Sequence, residues 1–281
     1  MKWAFKIGLK LIFARLPMPY IFWKSIGLFR HGCMDTTSYP IKIFKMHVER
    51  AYPQGLPRQS VILELGPGDS LASAIIAYAY DVKCIYLVDV GCYASKKIKF
   101  YQSLSTELAR LGMNAPDLRK VTSIESILKA CNAKYLTNGI DGLKEIPSGS
   151  LELVWSHSVL EHIRKHEFAP TLNELKRILK PGAYSSHNID FQDHLDGELN
   201  NLRFSEKVWE SEFFTKSGFY TNRIPALKMH SMFREVGFDV IKEEFGPWPS
   251  LPTPRSAMND GFDCFSDEEL INRTSHVLLK S

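Results

Sequence analysis

Residues 61–69 read VILELGPGD, and a second apolar run, CIYLVDV, carries an acid at Asp89 about twenty residues later. A strand, a tight loop and a helix, followed by a strand that closes on an acid, is the opening of a nucleoside-binding α/β sheet. Gly66 and Gly68 carry no Cβ, so the backbone can turn sharply there and approach a ligand closely. Asp69 or Ser70 is placed to cap the helix LASAIIAYAY. Asp89 falls at the end of the second strand, where a carboxylate can accept hydrogen bonds from both hydroxyls of a ribose. A nucleoside cofactor is therefore expected.

The dinucleotide fingerprint G-x-G-x-x-G sets helix-terminus amides against a pyrophosphate. Here the six positions are Gly66-Pro67-Gly68-Asp69-Ser70-Leu71, so the third glycine is absent. Asp69 stands where the pyrophosphate would bring negative charge, and Glu64 lies just upstream. Two carboxylates repel a diphosphate and suit a ligand that carries an ammonium and a sulfonium, which is S-adenosylmethionine. The E-x-G-P-G-D pattern resembles the first motif of class I S-adenosylmethionine-dependent methyltransferases. A second stretch, LKEIPSGSLELVWSHSVLEHI at 143–163 with LKPGA after it, is similar to the type 11 (ubiquinone-biosynthesis-like) group. Together the signatures cover 61–182.

Apolar runs predict strands at 61–66, 84–90, 133–138, 151–157, 183–190, 238–245 and 274–280. Helices fit between them at 70–80, 95–111, 121–131, 167–180, 225–236 and 266–273. Such alternation predicts a Rossmann-like, doubly wound, largely parallel sheet of seven strands. The resemblance implies that the last strand runs antiparallel. Residues 1–57 read as a helical cap broken at Pro17, Pro19, Pro40 and Pro53, and 58–281 as the methyltransferase domain. Lys180-Pro181-Gly182 reads as a helix stop, and the proline-rich 246–256 as a loop.

By the resemblance, Glu64, Gly66, Gly68 and Asp69 lie at the methionyl part of the cofactor and Asp89 at the ribose. Asn138 and Asp141 would hold the adenine, although the family places its acid nearer the Leu-Pro dipeptide that Ile146-Pro147 replaces. Ser156, His157 and Ser158 would project from the carboxyl end of the central strand, where ligands bind in such sheets. If the acceptor is a hydroxyl, a base must take its proton. Histidine suits that work near neutral pH. His157 and His187 are the leading candidates, with Asp190 beside the latter. Some RNA-terminal methyltransferases hold a cation with E-x-x-E-H. Here Glu161-His162 matches but Ser158 replaces the first Glu, so no metal is expected.

The segment 191–225 is too long for an ordinary connection. It interleaves aromatics (Phe204, Trp209, Phe213, Phe214, Phe219, Tyr220) with amides and arginines, as a lid over a small-molecule or glycan acceptor would. Either these rings face the acceptor or they pack on the protein. Residues 1–60 carry ten basic and two acidic residues, whereas 61–281 are net acidic, which disfavours a nucleic-acid substrate. The basic, aromatic start has no apolar run long enough to span a bilayer. Residues 1–30 suit either a packed cap or peripheral contact with an anionic membrane. Five scattered cysteines without C-x-x-C spacing point to reduced thiols and a cytoplasmic setting.

Overall fold

The computed structural model describes Phe5, Ile7, Gly8 and residues 36–281. The membrane reading of residues 1–30 and the breaks expected at Pro17 and Pro19 lie, those three positions apart, outside the described residues. Among the described residues no helix is long and apolar enough to cross a membrane.

The seven strands are β1 (Val61–Leu65), β2 (Cys84–Val88), β3 (Ala133–Leu136), β4 (Leu151–His157), β5 (Leu179–Asp190), β6 (Asp239–Pro247) and β7 (Asn272–Lys280). They form one sheet in the order β3-β2-β1-β4-β5-β7-β6. Only β7 runs antiparallel to its neighbours, β5 and β6. The strand order reverses between β1 and β4, so their carboxyl ends frame the crevice in which α/β sheets bind ligands.

Alternation along each strand divides the core in two. On one face Ile62, Ile85, Leu153 and Trp155 pack under α1 (Ser38–Ala51), α2 (Ala72–Ala79), α3 (Ile98–Arg110) and α4 (Ile124–Ala130). On the other, Leu63, Val88, Val154 and Val277 pack under α5 (Ile140–Lys144), α6 (Lys165–Ile178) and α9 (Ala226–Glu235). Two single-turn helices, α7 (Glu206–Trp209) and α8 (Glu212–Thr215), lie in the long insertion, and α10 (Asp267–Leu270) precedes β7.

Three local expectations change. Pro40 does not break a helix; it sits in the first turn of α1, where a missing N–H removes no intrahelical bond. The helix α6 ends at Ile178, two residues before the expected stop. Leu179 already pairs with Leu151, and the ladder resumes at Tyr184 opposite Leu153. Lys180-Pro181-Gly182 therefore form an irregularity in the strand, with Gly182 at φ +78°, as a proline without a ladder donor requires. The helix expected at 266–273 shrinks to the one turn of α10, held by a Ser266–Glu269 capping box, because β7 begins at Asn272.

Candidate active site

The loop after β1 turns through Gly66 at φ +72° and Gly68 at φ +58°. The two glycines have different neighbours. A Cβ on Gly66 would collide with the Val159 side chain, whereas one on Gly68 would meet nothing within 4 Å. Gly66 is therefore needed for packing and Gly68 keeps the crevice open. At the start of α2 the amide of Ala72 donates to Ser70 Oγ (3.3 Å), so Ser70 acts there, and Asp69 offers its backbone carbonyl to Ser95 N–H instead. The Tyr101 hydroxyl donates to Ser95 O and accepts from Leu71 N–H, tying the loop to α3.

Asp89 is buried at the end of β2. Its Oδ2 accepts from Gly68 N–H (2.9 Å) and its Oδ1 from Val90 N–H (2.7 Å), which fixes the carboxylate against the glycine loop. Glu64 is buried on the neighbouring strand, and its Oε2 has no hydrogen-bond partner. Burial pushes its carboxyl up to about 8; the Ser73 hydroxyl works in the opposite direction and the charge of Asp89 adds to the rise. An unpartnered carboxylate oxygen beside a second carboxylate fits a cationic group. It is the chemistry an ammonium-bearing nucleoside needs.

Elsewhere the expected cofactor residues separate. Asn138 is exposed at the mouth of the β3 loop, where its carbonyl accepts from Asp141 N–H. The Asp141 side chain is 72% exposed and pairs with Lys144 of α5 at 2.8 Å. Ser156 also changes place. Its hydroxyl is fully buried on the α9 side of the sheet, 2.7 Å from His187 Nδ1.

His187 lies in the same core. Its Nε2 is 2.7 Å from Ser185 Oγ, its ring stacks on Phe233, and it has no exposed surface. Burial lowers its pKa to about 3. Both nitrogens are engaged and no acceptor can reach them, so the expectation of a base at His187 is corrected to a structural role. Asp190 stays at the end of β5, half-buried, where its Oδ1 accepts from the backbone and side-chain amides of Gln192. His157 is half-buried at the carboxyl end of β4, 3.1 Å from Asn188 Nδ2 and 3.4 Å from His47 Nε2. Burial, together with the charges of His276 and Arg50, lowers its pKa to about 4. Its ring is thus neutral at physiological pH.

The insertion at 191–225 closes the same edge. Asp193 anchors it by accepting from the amides of Leu195, Asp196, Gly197, Glu198 and Asn200. Asn222 stitches it to the V-L-E-H segment, donating to Leu160 O and Ile163 O. His162 Nδ1 contacts Tyr220 O, and its ring stacks on His194 at 4.8 Å. Trp209, Phe214, Phe219 and Tyr220 pack on one another with Leu195 and with Ile7. Most of the aromatics therefore build the core of the insertion and are not free faces for a sugar; Phe213 remains about half-exposed. Glu161 is buried among these segments, and burial raises its pKa well above the carboxylate range.

Sequence reasoning missed Val159, Tyr101, His47, Arg50, Asn188 and His276. The first two act by shape and reach, which no local pattern reveals. His47 did leave a signal: with Ile43, Phe44, Val48 and Ala51 it falls on the apolar stripe of α1.

Comparison with known proteins agrees with this geometry. A family model described as a methyltransferase domain, of the type 11 group, matches residues 63–186. No curated protein matches the chain. A SAM-dependent methyltransferase from Methanosarcina mazei is similar in structure (TM-score 0.50, 13% identity, covering 85% of this chain and 96% of that one). So is one from Archaeoglobus fulgidus (0.48, 12%, covering 94% and 100%). The phosphoethanolamine N-methyltransferase 2 of Haemonchus contortus in complex with S-adenosyl-L-methionine also matches (0.48, 13%, covering 85% of this chain and 52% of that one). The family match over residues 63–186, together with the order and direction of the seven strands, supports a class I S-adenosylmethionine-dependent methyltransferase fold for this chain.

Proposed function

We propose that this enzyme methylates an oxygen of a small-molecule or glycan acceptor, bound at the carboxyl edge of β4 and β5 beneath the 191–225 insertion. When bound, S-adenosylmethionine supplies an electrophilic methyl group on a cationic sulfur. Glu64 holds the ammonium, Gly66, Gly68 and Asp69 line the methionyl part, Asp89 takes the ribose hydroxyls, and the loop at Asn138 borders the adenine. The observation that carries the reading is the buried, unpartnered Oε2 of Glu64 next to Asp89. Alignment of the two reactants and exclusion of water do most of the work in such a transfer. His157 is the proton acceptor in this scheme, since its ring is neutral and sits at the strand end nearest the crevice.

A tritiated-methyl transfer assay on fractionated cell extract, with products sorted into lipid, glycan, protein and nucleic acid, tests the acceptor class. Label appearing mainly in nucleic acid would sink the reading. The basic character of residues 1–60 further supports docking of the N-terminal segment on an anionic membrane, where a lipid-linked glycan would be met. Flotation with anionic liposomes tests it, and failure to float removes this part alone.

A further inference from the structure

Arg50 ends the inner face of α1, and its Nη1 is buried with no hydrogen-bond partner. The acid that acts on it is Glu244 of β6, itself about half-exposed and already paired with Lys242. Arg50 is half-buried, and leaving the buried Nη1 of its guanidinium without a partner is costly. Its surroundings are built from one row across the sheet. His157 of β4 pairs with Asn188 of β5, Asn188 with His276 of β7, and His276 with Glu244. Directly paired residues point to the same face, and it is the face that α1 covers, where His47 packs edge-on to His157 at 5.6 Å.

Two more buried polar atoms in this row lack partners, Asn188 Oδ1 and His276 Nδ1. Arg50 lies close enough to repel protons from His47, His157 and His276, and burial acts in the same direction on all three. The cluster therefore holds the positive charge of Arg50, imidazoles kept from protonation and an amide, with the half-exposed Glu244 carboxylate, paired with Lys242, at its rim. If the Asn188 amide turns over, its Nδ2 faces the cluster and its Oδ1 accepts from the His157 ring. Arg50 Nη1, the Asn188 amide and, in its Nδ1–H tautomer, His276 then present donors to the cluster. A planar guanidinium fork with an imidazole N–H and an amide N–H matches the oxygens of a carboxylate or phosphoryl group.

We propose that Arg50, His276 and Asn188 form an oxyanion subsite that holds a carboxylate or phosphoryl group of the methyl acceptor, with His157 between it and the cofactor crevice. The proposal rests on the acceptor lying at this edge. It makes the acceptor an acid and places its anionic group over β5 and β7, away from the reacting oxygen. The anion also favours protonation of the neighbouring imidazoles, so acceptor binding would strengthen His157 as a base.

The test is an imidazole nitrogen–proton NMR titration of the full chain with inorganic phosphate and, separately, acetate, at constant ionic strength made up with chloride. S-adenosylmethionine binding is measured by calorimetry on the same samples. Saturable shifts at His276 and His157 are expected, and the anion that saturates lower tells phosphoryl from carboxylate. Arg50→Gln should weaken that response about tenfold or more and leave cofactor affinity unchanged, which also verifies folding. His276→Gln provides a second variant with the same expected loss. No saturable shift with either anion, or a response that survives both substitutions, overturns the subsite. Loss of the anion response with normal cofactor binding would leave the methyltransferase reading intact, whereas absent cofactor binding in the unaltered chain would remove that reading instead.

Discussion

Glu64 and Asp89 lie on adjacent strands and differ in what satisfies their carboxyl oxygens. The Asp89 carboxylate is pinned by two backbone amides, which leaves its oxygens oriented to accept further hydrogen bonds. Glu64 is raised to about 8 by burial and is mostly protonated at pH 7 until a cation arrives. Binding an ammonium there must release a proton, because the cation stabilises the carboxylate. Cofactor affinity should accordingly rise from pH 6 toward 8 and level off above; calorimetry in buffers of different ionisation heat would show the released proton. Glu64→Gln should flatten that profile. For the fold alone the sign is opposite: the unfolded carboxyl ionises near its ordinary value and the native one near 8. Stability contributed by Glu64 is therefore lost as pH climbs between them. Asp89→Ala should weaken cofactor binding by about 1.5–3 kcal/mol, read by the same calorimetry. His187→Ala should leave turnover per folded molecule unchanged and cost about 1–3 kcal/mol of stability, because two buried serine hydroxyls lose their partner.

At the scale of elements, the β1–α2 loop separates folding from binding between two glycines. Gly66→Ala would press a methyl group against Val159 in a left-handed backbone, and it should destabilise the protein by about 1–3 kcal/mol. Val159→Ala in the same chain should recover part of that loss in a denaturant titration. Gly68→Val meets only the open crevice; it should abolish cofactor binding while costing far less than Gly66→Ala in packing. Both glycines are visible in G-P-G, but their different roles are not, since Val159 is 93 residues away in the chain and touches the loop only once β1 and β4 are neighbours. The α1 helix makes the same point. Its apolar stripe was legible, while the polar row that His47 and Arg50 meet exists only after β4, β5 and β7 pair.

Over the whole molecule, a buried cation ties the insertion to a distant segment. The Arg223 side chain is wholly buried, donates to Asn201 O, Phe204 O and Glu206, and lies over the Trp209 and Phe262 rings. It thereby joins the insertion to the 255–265 segment, despite a backbone at φ +57°. Arg223→Ala should cost about 3 kcal/mol and raise amide exchange across 195–222 well before the sheet opens; exchange unchanged there would contradict this role. Ile7 packs into the aromatic cluster of the same insertion.

What the chain's own pattern settled is the order of strands and helices, the glycine loop and the paired acids at Glu64 and Asp89. Each of these depends on residues close in sequence, whose spacing follows the periods of helix and strand. The environment of the histidines was decided only in three dimensions. His157 and His187 both lie on or beside predicted strands, but one-residue differences in strand phase put His187 in the α9 core and left His157 at the open edge. Burial and neighbouring charge set protonation, and for His157 they come from His47, Arg50 and His276, each more than a hundred residues away in the chain, so tertiary packing alone set the state of this imidazole.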